Sequence, residues 1–168
     1  PGMSGTNTMC VVTVLLETGI LPMVEPITEL TLEAPAGLIR VAAACRDGKV
    51  TGVTFRNVPA FATHLDTQIE VLQLGTIKVD VAYGGMFYVI ADAAQFGLRL
   101  TPDEGRDIVR ISEMVKAAAA EQLPVTHPLQ TGFSGITIAE LTGPPTHPDA
   151  HAKNVVTVST GTVDWDKP

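Results

Sequence analysis

Ser4-Gly5-Thr6-Asn7-Thr8 stands directly ahead of an apolar run, Met9 to Leu16, that only Thr13 interrupts. Small hydroxyl and amide side chains at such a junction start helices. Ser4 or Asn7 can accept from one of the first-turn N–H groups that have no helical partner. Those N–H groups, with the positive end of the helix dipole behind them, bind anionic groups. Gly5 lets a ligand come close to the backbone, and Thr6, Asn7 and Thr8 can present N–H groups to it. On capping preference alone, Ser4 reads as an N-cap. Cys10 and Cys45 offer thiol chemistry elsewhere. Cys10 falls inside the apolar run and is expected in the core, and Cys45, after three alanines, is expected to be structural. His64, His127, His147 and His151 lack ligand spacing. His147 and His151 are four apart but follow Pro144-Pro145 in a loop, so no metal site is expected.

The elements that must position these groups follow from periodicity. The first helix is apolar on every side, so it is expected to be a buried central helix, stopped by Gly19 and Pro22. Ile27 to Glu33, Leu38 to Val41 and Val50 to Phe55 read as strands, with Asp47-Gly48 as a tight hairpin turn. Asn57-Val58-Pro59 marks a boundary between domains. Beyond it, Ile69 to Leu72, Thr76 to Tyr83 and Met86 to Ala91 are strands, with Gly75 in a turn and Gly84-Gly85 as a bulge or a close backbone approach. Tyr83-Gly84-Gly85 lies near a site or merely bends the strand. Thr101-Pro102-Asp103-Glu104 starts a second helix that runs to about Leu123, and its two acids suit the dipole. Gly135 to Leu141 and Asn154 to Ser159 are the last strands, joined by an exposed turn through Gly143-Pro144-Pro145-Thr146-His147-Pro148. Segregated strands and helices make an α+β fold.

The 168 residues suffice for one ordinary domain or two small ones. With 45% hydrophobic and 17% charged residues the chain is built to bury a core. A formal net charge of −7 argues against nucleic acid or an anionic membrane as partner, yet leaves room for a small anionic substrate at a locally positive site. No apolar stretch approaches the roughly 20 residues that span a bilayer, and no signal peptide is evident in Pro1 to Asn7, so a reducing cytoplasm is the expected compartment.

Four segments carry a resemblance: Met3-Ser4-Gly5-Thr6-Asn7-Thr8, Leu30-Thr31-Leu32-Glu33-Ala34-Pro35-Ala36-Gly37-Leu38, Asn57-Val58-Pro59-Ala60-Phe61, and Val79-Asp80-Val81-Ala82-Tyr83-Gly84-Gly85-Met86-Phe87-Tyr88. Any one of them has little specificity. All four, in order and at their spacing, resemble the proline racemase family, which includes 4-hydroxyproline epimerases and trans-3-hydroxyproline dehydratases. The similarity covers nearly the whole chain.

The resemblance implies a fold like that of diaminopimelate epimerase, two domains that each wrap a β-sheet around a central helix. Residues 1–56 would be part of the first catalytic domain, and 57–168 most of the second without its catalytic helix. It also implies no cofactor, a proline or hydroxyproline as small-molecule substrate, and a possible homodimer. Ser4 falls on the first catalytic position, where the family usually has Cys in a Met-Cys-Gly-His motif, and Gly5, Thr6 and Asn7 fall on substrate-binding positions. The partner motif, Cys- or Thr-Gly-Thr-Gly, is absent. The chain therefore resembles a piece cut between the catalytic helices and is expected to be inactive by itself.

Removing a proton from Cα beside a carboxylate requires that the carboxylate's charge be offset, which a helix N-terminus does with backbone alone. Racemisation further needs a base on one face and an acid on the other. A serine hydroxyl holds its proton far more tightly than a thiol and has no activating neighbour in sequence. Ser4 thus suits proton donation, or a reaction with one strong base, and hydroxyprolines fit better than free proline. The competing expectations are a proline racemase and a non-catalytic binding or oligomerisation module of the same fold.

Overall fold

The computed structural model of the chain describes residues 2–158 and 161–164. It forms two compact units, Pro1–Ala60 and Phe61–Pro168.

The first unit is one helix on one antiparallel sheet. Helix α1 spans Gly5–Glu17, and strands β1 (Ile27–Ala34), β2 (Gly37–Arg46) and β3 (Lys49–Arg56) pair in sequence order. The Asp47-Gly48 turn has φ of 54° and 72°, the two left-handed residues that a two-residue hairpin requires. Alternation along β2 turns Ile39, Val41, Ala43 and Cys45 inward, all buried. Helix α1 answers with Thr8, Val12 and Leu16, spaced four apart on one stripe.

Within this chain only that stripe of α1 is covered, where the apolar sequence predicts cover all round. Met9 is 36% exposed, Val11 46% and Val14 53%, and Cys10 is exposed rather than in the core. The three strands of this chain offer a single inner face, and they cover only the side of the helix that meets it. Gly19, at φ 74°, follows the Thr18 C-cap as a left-handed stop.

At the far end of α1, Glu17 stands where the helix dipole disfavours an acid. It is held by Lys49 Nζ at 2.6 Å and by the Val50 N–H at 3.0 Å. The hydrogen bond from Lys49, then that from Val50, keeps its carboxyl below the usual carboxylate range. A depressed folded-state pKa means stability that is present above the unfolded value, about 4.3 for glutamate, and lost as pH falls through the folded value. In Glu17→Gln the acid-side fall in Tm should be shallower than in the wild type. Parallel Tm–pH curves would dismiss the contribution.

The second unit is a six-stranded sheet in the order β4 (Phe61–Val71), β5 (Gly75–Tyr83), β6 (Phe87–Asp92), β7 (Ile136–Gly143), β8 (Lys153–Thr157) and β9 (Val163–Asp164). All pairings are antiparallel except β6–β7, which is parallel and is bridged by helix α2, Gly105–Gln122. Ile108, Ile111, Val115 and Ala119 form the buried stripe of α2. Its entry is a short 3₁₀ turn, Pro102–Glu104. Burial would raise the Glu104 carboxyl, but the Arg99 and Thr101 N–H groups and the Arg99 guanidinium outweigh it and lower the pKa. Glu104 therefore anchors the chain entering the helix.

Two expectations for this unit change. Strand β4 begins at Phe61, eight residues before the alternating stretch, because irregularities around His64, with Asp66 at φ 50°, break the period. Gly84-Gly85 is not a bulge, and Gly84 has open space around it. With Met86 the pair makes the turn of a hairpin in which Tyr83 faces Phe87. The expected end of the last long strand at Ser159 lies outside the described residues, and β9 was not anticipated.

Candidate active site

Ser4 has φ −135° and ψ 119°, extended backbone that turns into α1 at the next residue. Its Oγ accepts from the Asn7 N–H at 3.5 Å, a long bond that leaves the hydroxyl half-exposed. Behind it, the Thr8 N–H (3.0 Å) and Thr8 Oγ1 (2.9 Å) both donate to the Ser4 carbonyl. That double anchor fixes the Ser4 backbone without using its side chain. Thr8 is buried, and its hydroxyl alone does not signal this second role in the sequence.

Helical geometry leaves the Gly5 and Thr6 N–H groups without an i−4 acceptor. No acidic residue lies in the first turn to occupy the positive end of the dipole. Thr6 and Asn7 are exposed. The reason for glycine at position 5 is also steric: a Cβ there would come within 3.0 Å of the Phe55 ring of β3. The helix N-terminus thus rests directly against the tip of an aromatic ring. The chain before the helix is tied to the β1–β2 turn by the Ala36 N–H, which donates to the Gly2 carbonyl at 2.9 Å, and Met3 is buried.

These residues open on a surface depression lined by Gly2, Met3, Ser4, Asn7, Thr8 and Val11 on one side and by Leu32, Glu33, Ala34, Pro35 and Ile39 on the other. The structure therefore brings Ser4 and Asn7 to one place, together with the Leu32–Pro35 segment that the sequence motifs singled out, while Gly5 and Thr6 do not line the depression. No imidazole, amine or carboxylate among the described residues hydrogen-bonds to Ser4 Oγ. The arrangement can hold an anionic group on backbone N–H groups beside a hydroxyl able to give or relay a proton. No group of three or more His, Cys, Asp or Glu side chains suited to a metal occurs among the described residues.

The second unit gathers Phe61, Tyr83, Phe87, His127 and Phe133 into an aromatic cluster, with the Tyr83 and His127 ring centroids 4.7 Å apart. His127 Nδ1 accepts from the Leu129 and Gln130 N–H groups at 3.2 and 3.0 Å, which fixes it as the acceptor nitrogen. Tyr83 is 2% exposed, its hydroxyl has no partner among the described residues, and burial pushes its pKa up. An unpartnered buried hydroxyl costs stability. Tyr83→Phe is thus expected to be neutral or to stabilise by up to about 1 kcal/mol, read as Tm. A clear loss of stability would show that the hydroxyl is satisfied.

A family model described as proline racemase matches residues 1–166. Two solved structures superpose with a TM-score of 0.91. One is described as a "probable proline racemase" from Agrobacterium radiobacter K84 with bound carbonate, 36% identical over 98% of this chain. The other is a hydroxyproline epimerase from Agrobacterium vitis with bound trans-4-hydroxy-L-proline, 37% identical over 98% of this chain. The chain spans about half of each, 48% and 47% of their lengths. A methylitaconate-delta-isomerase (15% identity, TM-score 0.54, 100% of this chain and 55% of that one) and a PhzF-family phenazine biosynthesis protein from Bacillus anthracis (12%, 0.51, 95% and 50%) share the fold alone.

Proposed function

Since the chain belongs to the proline racemase family, we propose that the protein carrying it breaks the Cα–H bond of a hydroxyproline without a cofactor. The observation that carries this reading is Ser4 at the N-cap of α1, where helical geometry gives the Gly5 and Thr6 N–H groups no i−4 acceptor and so suits them to a carboxylate. In the ground state these donors hold the substrate carboxylate. As the Cα proton leaves, negative charge grows on the carboxylate oxygens, and the same donors stabilise it more strongly than before. Ser4 acts on the Cα face turned toward α1. The opposing acid or base comes from outside this chain, which is why activity is assigned to the whole protein, and the isolated 168 residues are expected to turn over nothing.

Two outcomes of this chemistry have support. The 37% identical relative holding trans-4-hydroxy-L-proline favours inversion at Cα of a 4-hydroxyproline. A hydroxyl in place of the thiol usual in the family favours abstraction by one strong base followed by loss of a 3-hydroxyl as water. The test is incubation of the full-length protein in D₂O with trans-4-hydroxy-L-proline, trans-3-hydroxy-L-proline and L-proline separately, followed by NMR. Inversion with deuterium at Cα identifies the epimerase, and loss of water from the 3-hydroxy compound identifies the dehydratase. Absence of exchange with all three would sink the proposal and favour a binding module.

A further inference from the structure

We infer that the sheet face of the first unit turned away from α1 carries an oxyanion site built on Arg40 and Arg56. The two residues stand directly opposite each other on neighbouring strands. Arg40 alternates outward between the buried Ile39 and Val41, and both arginines are exposed. Thr31 is the partner of Arg40 on the other side. A single cross-strand row therefore reads Thr31, Arg40, Arg56: one hydroxyl and two guanidinium groups. Like charges directly opposite on a sheet destabilise it. Neither guanidinium lies within ion-pair distance of a carboxylate among the described residues, a condition they share with Arg46, Arg106 and Lys153.

The juxtaposition depends on an irregularity in the ladder. From the Asp47-Gly48 turn, Arg46 pairs with Lys49 and Cys45 with Val50, and an unbroken ladder would put Phe55 opposite Arg40. The register shifts between Ala44 and Cys45, and Arg56 arrives there instead, while Phe55 turns inward opposite Val41. Two adjoining surface depressions are each lined by both arginines. One of them is floored by Ala42 and Thr54, the next row along the sheet, whose short side chains leave room above the strands. Two planar forks over a shallow floor suit a compact anion with several oxygens, of the phosphate class, bound by charge-assisted paired hydrogen bonds. Glu29 and Glu33 lie diagonally on the same face and set the site's preference for an anion strong enough to compete with them.

This site is separate from Ser4 and does not depend on the proposed reaction. The test is a ¹H–¹⁵N NMR titration of the full chain with inorganic phosphate at constant ionic strength. Saturable shifts at Thr31, Arg40 and Arg56 are expected, with a Kd of about 1–10 mM, weakened at least about tenfold in Arg40→Gln and in Arg56→Gln. Arg56→Glu places a carboxylate opposite Arg40. It should raise Tm in chloride buffer and remove the response to phosphate. Shifts that do not saturate, or that persist unchanged in the variants, overturn the site. A Tm for Arg56→Glu below that of the wild type overturns the repulsion on which it rests.

Discussion

Replacing Ser4 by alanine in the full-length protein is expected to cut Cα–H exchange by about 10²–10⁴-fold, while costing only about 1 kcal/mol of stability through the lost cap. The two effects separate in Ser4→Asn. Asparagine caps a helix as well as serine does, so stability should return to the wild-type value, but it has no hydroxyl to move a proton, so activity should not. The 3.5 Å bond from Asn7 N–H to Ser4 Oγ already indicates that capping occupies the hydroxyl weakly. Ser4→Cys adds the opposite change: a thiol at a helix N-terminus has a lowered pKa and is a better base. It should retain exchange and raise the share of inversion over elimination. Wild-type turnover by Ser4→Asn would reduce Ser4 to a cap.

The largest loss of stability should follow Leu141→Ala. Leu141 is 0% exposed, on the strand that links the parallel and antiparallel halves of the second sheet, with Ala91 beside it on β6 and Val155 on β8. Helix α2 packs on β7. With neighbours fixed on three sides the site cannot collapse, so truncation should cost about 2–5 kcal/mol, measured by urea unfolding. Val14→Ala removes nearly as much apolar side chain from a position 53% exposed in this chain, and should cost less than about 0.5 kcal/mol if nothing else covers it. A cost for Val14→Ala approaching that of Leu141→Ala, in the full-length protein, would mean that the outward face of α1 is buried there.

The contrast between those two residues also marks what could be read without coordinates. Helix α1, its Ser4 cap and its Gly19 stop were legible because caps and stops are local: a small hydroxyl before an apolar run, a glycine after it. Asp47-Gly48 was legible for the same reason. The exposure of Cys10 and Val14 was not, since an all-apolar helix says that it wants cover and not how many strands are present to provide it. The first half of β4 was missed because Ala62 to Thr67 does not alternate: the strand is irregular there and Asp66 is left-handed. The helix-start residues of the candidate site were recognisable from their motif. Phe55 beneath Gly5, Thr8 behind Ser4 and the Arg40–Arg56 pair were hidden, because each depends on a register that hydrophobic pattern alone does not specify.

The same topology bears on how the second unit is made. Strands β4, β5 and β6 meet through turns of a few residues, and such hairpins close in microseconds. Strand β7 instead must find β6 across the whole of α2, pairing Phe87 with Ile136 in parallel. Closing that long loop costs entropy before any contact repays it, which makes it the slow event. A nascent chain released only as far as α2 would hold a meander with the β6 edge open, and the core around Leu141 would not yet exist. Hydrogen exchange during refolding should accordingly protect the amides of β5 first and those of β7 and β8 together, as one late step.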